Sequence, residues 1–457
     1  MMSDFLMKLG ESILFWSAWI IIPILAEVLP FIRNARTLYK KRKVNKLIPE
    51  PVQYPDLSVI IPVYNSSDTL YNCIKSIYDS TYDNSKLRIY LVNNMTKDDS
   101  FKVYTECQKE FTDLRMQWLN ARQGKSRALN LALYNSTGKY IINIDSDGLL
   151  EPHALTNMIK LFEYDTSIGC MTGAILTDAN AIGKYKKFFP RLLRKLEYME
   201  YAQAFLAGRS YASENDEMYT LSGAFSAFRK SAVHRSFLYN TTTIAEDTHI
   251  TFQMRENLNQ KIRLCDNAIF VTDPIEGMDK LYTQRQRWQR GSLEVAKMFM
   301  DRGFSPVSIL TNINVRTLIY DHTFAFPRLI WYIAMFCFLG MGVAINMTIF
   351  AMVIMTIVYV FVGYAYFNSI QKFLKEFPEI RSYYLRQWWV VLILPFFQLL
   401  VFFYRVMGIV NSINTTSAWK VMGLKEEREA FAKELKEVFH TLGKPIMALR
   451  KAINYDE

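Results

Sequence analysis

The stretch from Tyr140 to Asp147 reads YIINIDSD, a short isoleucine-rich run that ends directly in two acids. Such a run favours a buried β-strand. Leu57 to Val63 (LSVIIPV), Arg88 to Val92 and Met116 to Leu119 predict three further strands, and Thr69 to Tyr78 predicts a helix. Strands that alternate with helices form mainly parallel, doubly wound sheets, which bind ligands at the carboxyl ends of their strands. The sequence therefore predicts an α/β domain with the two acids at its ligand-binding edge.

One residue separates Asp145 from Asp147 at the end of the predicted strand. Two carboxylates placed in this way can both face a divalent cation, Mg²⁺ or Mn²⁺, that also holds a diphosphate. The alternative is a helix cap, because Asp147 and Glu151 precede a predicted helix. On their own these residues favour the cap, and the neighbouring motifs shift the balance towards a metal site.

Two further motifs lie on either side of the acids. Upstream, RQGKSRALN (Arg122 to Asn130) places a glycine turn before Lys125 and Arg127, at the start of a predicted helix. Positive charge and unpaired helix amides suit a phosphate, although an ordinary solvated helix start explains the motif equally well. Downstream, Ala245 to Asp247 reads AED, with His249 beside it. A carboxylate there is more often a turn or cap residue, unless the fold places it opposite the DSD.

The motif QRQRW, Gln284 to Trp288, lies in a segment where Leu281, Trp288, Val295 and Phe299 recur at helical spacing. This spacing predicts an amphipathic helix whose apolar side can lie in the lipid headgroup layer. A plain interfacial anchor would explain the tryptophan and one arginine. It would leave the paired glutamines and the second arginine unexplained.

Long apolar segments predict a membrane protein. Leu329 to Gln371 contains no Asp, Glu, Lys or Arg and is about twice the ~20 residues of one crossing, so it predicts two passes with a break near Asn346. Gln387 to Tyr404 predicts a third, kinked at Pro395. Ser12 to Ile32 predicts an N-terminal anchor. A cleaved signal peptide is the weaker alternative there, because the segment has full span length and no small-x-small cleavage site.

The basic residues that follow the first apolar segment set the expected orientation. Seven basic residues and no acid lie between Arg33 and Lys46, which places this side in the cytoplasm. Anionic lipid headgroups explain this run without a nucleic-acid partner, despite the net charge of +11. One crossing before the domain and three after it would put the tail outside, yet the tail from Lys420 looks cytosolic. Either Ser305 to Phe326 adds a crossing, or Gln387 to Trp419 forms a re-entrant pair.

The five cysteines are scattered and never form a CxxC pair, so the sequence indicates neither a disulfide framework nor a zinc site.

Taken together, these motifs resemble the processive branch of the family 2 glycosyltransferases, which contains cellulose, hyaluronan, chitin and poly-N-acetylglucosamine synthases. The resemblance covers roughly Pro55 to Gly291 and the flanking apolar segments, and QxxRW is the element that separates this branch from simpler members. The matching elements are, in order, IIPVYN (Ile60 to Asn65), GKSRALN (Gly124 to Asn130), DSD, LSGAFSAFRKSA (Leu221 to Ala232), AED and QRQRW.

The resemblance implies a GT-A (Rossmann-like) fold and an inverting displacement that depends on Mg²⁺ or Mn²⁺. Asp247 is implied as the general base that takes the proton of the acceptor hydroxyl. Arg287 is implied to neutralise the leaving diphosphate, and Trp288 to carry the acceptor sugar on its ring. The implied donor-binding residues are Pro62, Tyr64, Asn94, Lys125, Asp145, Gln284 and Arg287; the acceptor-binding residues are Ser222, Gly223 and Trp288; the metal ligands are Asp147 and Asp145.

One departure from the family pattern concerns the nucleotide. Many members have an acid after the second strand for the uracil base, whereas this chain has Asn93 and Asn94. An amide can still pair with a base, so a UDP-sugar is expected while the nucleotide stays open. The usual TED reads AED here, which keeps both acids.

The expected function is synthesis of a polysaccharide from a nucleotide sugar at the cytosolic face of the cell membrane, with an accessory export subunit as a further partner. The alternative is single transfer to a lipid or polyprenyl-linked acceptor. A transporter or silent scaffold would require ionisable residues in the apolar segments, and only Glu27 and Arg405 qualify. The expected divisions are an N-terminal transmembrane helix (1–33), a basic cytosolic linker (34–54), a GT-A domain (55–280), interfacial amphipathic helices (281–326), about three transmembrane helices (327–411) and a charged tail (412–457).

Overall fold

A computed structural model describes residues 13–44, 48–299, 320–321, 324–342, 344–414 and the positions 423, 426 and 429, and a mixed sheet forms its centre. The strand order is β3-β2-β1-β4-β7-β6-β8-β5. The strands are β1 Leu57–Val63, β2 Leu87–Asn93, β3 Arg115–Asn120, β4 Tyr140–Ile144, β5 Gly148–Leu150, β6 Ile168–Thr177, β7 Phe225–Arg229 and β8 Lys261–Thr272.

The half of the sheet from β3 to β4 is parallel, as the sequence predicts. β1 lies between β2 and β4, with Ile60 opposite Tyr90 on one side and Asn143 on the other. All five residues of β4 are buried, because helices cover both faces of a parallel sheet. The four predicted strands are therefore confirmed to within one residue at each end.

The other half of the sheet departs from the expected doubly wound pattern. β7 pairs antiparallel with both β4 and β6, and β5 pairs antiparallel with β8, while β6 and β8 are parallel. The sheet is thus mixed rather than mainly parallel. The expectation relied on strand–helix alternation, which resumes after β5 and continues to β8 but does not fix the direction of each strand.

The helices surround this sheet and continue beyond it. On α2, the residues Leu70, Cys73, Ile74 and Ile77 follow helical spacing and are all buried against the sheet. The helices are α1 Ile13–Val44, α2 Leu70–Tyr78, α3 Ser100–Glu110, α4 Lys125–Asn135, α5 Ala154–Tyr164, α6 Ala179–Gly183, α7 Phe188–Tyr201, α8 Arg209–Glu214, α9 Lys230–Val233, α10 Glu246–Phe252, α11 Met278–Met298, α12 Phe326–Met341, α13 Ile345–Phe373, α14 Pro378–Arg386 and α15 Val390–Asn414.

Two helices of the described chain are long and apolar enough to cross a membrane. They cover Ile345–Glu376 and Val390–Ser412, and a shorter apolar helix covers Ile330–Met341. The break between α12 and α13 falls at residues 342–344, close to the predicted break, and Pro395 lies inside α15 as expected. Most of the predicted tail (412–457) and most of Ser305 to Phe326 lie outside the described residues.

α11 packs between α15 and the segment Ala245 to Asp247, an arrangement that we call the helix stack. A Cβ on Gly408 of α15 would lie 3.2 Å from the Gln286 Cα of α11, so the two backbones nearly touch. Arg405 Nε also donates to Gln289 Oε1 at 2.8 Å. On the other side, a Cβ on Gly291 would lie 2.6 Å from the Cβ of Ala245. Only glycine permits such close approach at these two points.

The helix stack changes the expected role of α11 at the membrane. The apolar residues Leu281 and Val295 are fully buried within the protein. The expectation that this side faces lipid headgroups does not fit, because protein covers it. Trp288 is the exception, with 40 % of its surface exposed.

Candidate active site

The loops that follow β1, β2 and β4 meet at one edge of the sheet. These three strands are parallel neighbours, so their carboxyl ends point the same way. Ser66 Oγ, after β1, lies 2.7 Å from Ser146 Oγ, after β4, and links the two loops. Pro62 at the end of β1 is half-buried, and Tyr64 is exposed at the same edge. This is the edge where the sequence predicts ligand binding.

Asn94 shapes the glycine turn before α4. Its Oδ1 accepts a hydrogen bond from the Gly124 amide at 2.6 Å. Gly124 has a φ of 129°, a conformation that residues with a Cβ rarely adopt. The turn delivers Lys125 to the first position of α4. Asn94, predicted to bind the donor, thus also holds the loop that positions Lys125.

Lys125 joins the separate acidic motifs. Its Nζ donates to Asp145 Oδ1 at 2.5 Å and to the Gly223 carbonyl at 3.1 Å, and it lies 3.9 Å from Glu246 Oε1. Burial lowers the pKa of Lys125, but Asp145 and Glu246 outweigh that effect and the net shift is upward. The ammonium group therefore stays charged between the DSD and the AED.

Asp145 and Asp147 lie one residue apart and act on each other electrostatically. The surface of Asp147 is exposed, but nearby protein partly desolvates its carboxylate; this desolvation, followed by the charge of Asp145, raises the pKa of Asp147 to about 6. Mutual repulsion of this kind is relieved by a divalent cation, and oxygen donors suit Mg²⁺ or Mn²⁺. In the described part of the chain no group of three His, Cys, Asp or Glu converges on a metal position. Two carboxylates leave coordination positions of such a cation for other oxygen ligands, so the pair fits a cation that also binds a diphosphate.

Asp247 is fixed at the start of α10 by two backbone amides. The Gly223 N–H donates to Oδ2 at 3.1 Å, and the Thr248 N–H donates to Oδ1 at 2.7 Å. The neighbouring Glu246 is buried, and this burial raises its pKa. Lys125 lowers that pKa in part and Asp247 raises it further, so that the net value is about 7. Ser222 precedes Gly223 and donates its own N–H to Thr172 Oγ1 at 3.2 Å. One residue, Gly223, thus contacts both Lys125 and Asp247.

The QRQRW residues divide between a buried side and a solvent-facing side of α11. Arg285 is 2 % exposed and pairs with Glu200 at 2.5 Å, and its guanidinium lies 4.4 Å from the Trp288 ring centre. Gln284 Nε2 donates to the Tyr201 hydroxyl at 3.4 Å. Arg287 is exposed. Among the described residues no ion pair joins it to the acids of the cleft, so the stack and not a direct contact brings QRQRW to the AED.

Comparison with known proteins identifies the domain. Residues 58–237 match the sequence model of the family described as Glycosyl transferase family 2. This part of the chain is a family 2 glycosyltransferase domain. The matched part holds β1 to β7 with the DSD and Gly223, while Asp247 and α11 lie beyond its end.

The transferase is similar to curated polysaccharide synthases. It is 25 % identical over 259 residues to a poly-β-1,6-N-acetyl-D-glucosamine synthase of Staphylococcus epidermidis, a match that covers 56 % of this chain and 60 % of that protein. A synthase of the same name from Staphylococcus aureus strain MSSA476 is 26 % identical over 239 residues, covering 52 % and 55 %. The chain thus spans little more than half the length of these relatives.

A solved structure supports the fold. A mannosyltransferase from Pyrobaculum calidifontis, in complex with GDP-Man and Mn²⁺, superposes with a TM-score of 0.58 at 17 % identity, covering 90 % of the transferase and 100 % of that chain. The GT-A architecture with a helical region is therefore confirmed, as the sequence predicts.

Some residues at the site of the transferase carried no signal in the sequence. Glu200 pairs with Arg285 across 85 positions, and neither residue belongs to a motif that requires the other. Arg209 is another such residue. Burial lowers the pKa of Arg209, and the nearby Asp247 offsets only part of this decrease. Glu200 accounts for Arg285, the first arginine of QRQRW, whereas Arg287, the second, is exposed.

Proposed function

We propose that the transferase moves a sugar from a UDP-sugar to the end of a growing polysaccharide, with inversion at the anomeric carbon, at the cytosolic face of a membrane. The names of the curated relatives support a polymer of N-acetylglucosamine as the product. The two long apolar helices support membrane attachment. The QRQRW motif favours the polymer over a single transfer.

One observation carries this proposal: Gly223 contacts Lys125 through its carbonyl and Asp247 through its amide. Lys125 in turn binds Asp145. Gly223 therefore separates the Asp247 carboxylate, which is suited to accept a proton, from the Lys125 ammonium group, which is suited to bind a diphosphate. Inverting transfer requires this pairing, because the acceptor attacks from the side opposite the leaving group.

Asp247 acts as the general base in this proposal. Two backbone amides orient its carboxylate, so no rearrangement is required before the acceptor hydroxyl approaches. The hydroxyl proton passes to Asp247 as the acceptor oxygen bonds to the anomeric carbon and the bond to the diphosphate breaks. Glu246 keeps its side chain against Lys125 and leaves Asp247 to face the acceptor.

The donor lies on the Lys125 side of the cleft. Asp145 and Asp147 would hold Mg²⁺ or Mn²⁺, which when bound neutralises the charge that builds up on the diphosphate. Lys125 and Arg287 add positive charge for the same phosphates. Pro62, Tyr64 and Asn94 line the nucleotide end at the edge of β1 and β2, and Gln284 supports the diphosphate end.

The acceptor lies on the other side. Ser222 and Gly223 form the turn beside the base, and glycine leaves room for the sugar. The half-exposed Trp288 ring provides a flat face for the terminal sugar.

The test compares Asp247→Asn with Asp113→Asn, an exposed carboxylate in the turn before β3. Purified protein in detergent receives UDP-N-acetylglucosamine, then other nucleotide sugars, with Mn²⁺, and UDP release and product length are measured. Asp247→Asn is expected to lower kcat roughly 10²- to 10⁴-fold, the range for loss of a general base, while Asp113→Asn matches the wild type. Unchanged turnover in Asp247→Asn contradicts the mechanism. A product of one added sugar contradicts the polymer and supports a lipid-linked acceptor.

A further inference from the structure

Arg209 is the charged residue near Asp247 for which the mechanism above provides no task. It starts α8, directly after a π-helical turn over Ala202–Gly208 that continues α7. Such turns widen a helix, shift the residues that follow and recur at functional sites. Here the turn carries Phe205 and Arg209 to the side of the cleft where Trp288 lies.

Arg209 belongs to the aromatic wall of the acceptor side. Its guanidinium carbon lies 4.6 Å from the centre of the Phe205 ring. Phe205 meets Trp288 edge-on at 6.0 Å and Tyr201 at 4.8 Å between ring centres. Arg209 is therefore connected to the proposed sugar platform through a single ring.

Unlike Arg285, Arg209 forms no ion pair with an acid among the residues that the structure describes. Arg285 forms a buried ion pair with Glu200. The Nη1 of Arg209 is buried and has no hydrogen-bond partner within the part of the chain that the structure describes. A buried, unsatisfied donor destabilises the folded protein, so it requires a partner, which a water or a ligand atom can supply.

The position of Arg209 is unfavourable for a general base at Asp247 unless Arg209 also binds a substrate. The Asp247 carboxylate lies close enough to act on the Arg209 charge. A cation near a general base reduces its attraction for a proton. This cost to catalysis is offset if the cation holds the molecule whose proton is removed.

We propose that Arg209 is a specificity-determining residue of the acceptor subsite, where its Nη1 donates a hydrogen bond to an oxygen of the terminal acceptor sugar. This inference rests on the proposed function. The neighbouring rings favour a sugar, since their faces suit its C–H groups. The carboxylate of Asp247 disfavours a lipid phosphate at the same place, because it would repel the phosphate. A hydroxyl or acetamido oxygen meets neither obstacle.

The experiment measures acceptor and donor kinetics separately in the full chain. Arg209→Met keeps much of the side-chain length and loses the donors, while Arg209→Lys keeps the charge and loses the fork. The probes are a short N-acetylglucosamine oligosaccharide as acceptor, UDP-N-acetylglucosamine as donor and vesicles containing a polyprenyl phosphate. Arg115→Met, on the exposed start of the edge strand β3, is the matched control.

Arg209→Met is expected to raise the acceptor KM about 10- to 100-fold, the factor for one charge-assisted hydrogen bond. Arg209→Lys is expected to recover part of this loss, and the donor KM to stay within about twofold of the wild type. Thermal unfolding of both variants shows that they are folded.

An unchanged acceptor KM in Arg209→Met, with an active wild type, overturns this inference alone. A parallel rise of the donor and acceptor KM values overturns it as well, because it indicates general damage to the cleft. Loss confined to the polyprenyl phosphate vesicles assigns Arg209 to a lipid phosphate and contradicts the sugar contact. A wild type that transfers no sugar contradicts the proposed function itself.

Discussion

Replacement of Gly223 by alanine perturbs the contact on which the proposed chemistry depends. A Cβ at this position would lie 3.2 Å from Asp247 Oδ2 and 3.6 Å from Lys125 Nζ. The first distance is shorter than an ordinary van der Waals contact, so the carboxylate has to move by a few tenths of an ångström. The second distance is ordinary, and Lys125 can stay in place.

The size of the effect follows from this displacement. Misplacing a reacting group by about 1 Å costs roughly 100-fold in rate, so a shift of a few tenths predicts about a fourfold lower kcat. This corresponds to about 0.8 kcal/mol in the activation barrier. Folding stability should change little, because the nearest atoms to the new methyl group belong to the two site residues.

The assay measures kcat at saturating donor and acceptor, together with thermal unfolding. Gly183→Ala is the matched control, because nothing lies within 4 Å of the methyl group it adds in α6. It is expected to match the wild type in both measurements. A Gly223→Ala enzyme with wild-type kcat would refute the view that Gly223 positions the base.

Two further predictions concern the buried charges behind QRQRW. Glu200→Gln leaves Arg285 buried without its counter-ion and is expected to lower the free energy of unfolding by about 3 kcal/mol, whereas Glu50→Gln, in an exposed pair, has a much smaller effect. Burial raises the pKa of Glu197 from an ordinary 4.5 to about 7, although the hydrogen bond from the Ile275 amide and the charge of Arg285 lower it in part. The folded protein therefore keeps a proton that the unfolded chain releases, and stability falls as pH rises from 4.5 to about 7. Glu197→Gln cannot ionise, so its stability relative to wild type is expected to increase by about 3 kcal/mol across this interval, and equal pH profiles in denaturant unfolding would contradict the assignment.

The parallel half of the sheet was predictable because local rules determine it. LSVIIPV and YIINI are short, buried apolar runs, and such runs have few alternatives to a covered strand. Their position also predicts Asp145 and Asp147 at the ligand-binding edge. The antiparallel direction of β7 was not predictable, because the connection between β6 and β7 sets the direction and local composition does not.

The order of the motifs suggests that the acids converge, but it does not indicate which contacts bring them together. Nothing in the sequence indicates that Gly223 contacts both Lys125 and Asp247, because Lys125 lies about a hundred positions before Gly223 in the chain. The pairing of Arg285 with Glu200 belongs to the same class, because tertiary packing alone brings α7 against α11. Arg209 likewise acquires its surroundings from a π-helical turn, which composition does not predict.

The helix stack gives the transferase a mechanical property. At Gly408 and Gly291, α11 is in close contact with its neighbours on both sides, so we expect a change in the tilt of α15 to shift the Ala245 loop. If α15 crosses a bilayer as proposed, acyl-chain length is expected to influence that tilt through hydrophobic mismatch. Membrane thickness would then affect the position of Asp247 from outside the active site, and turnover in reconstituted vesicles is expected to depend on the acyl-chain length of the lipid.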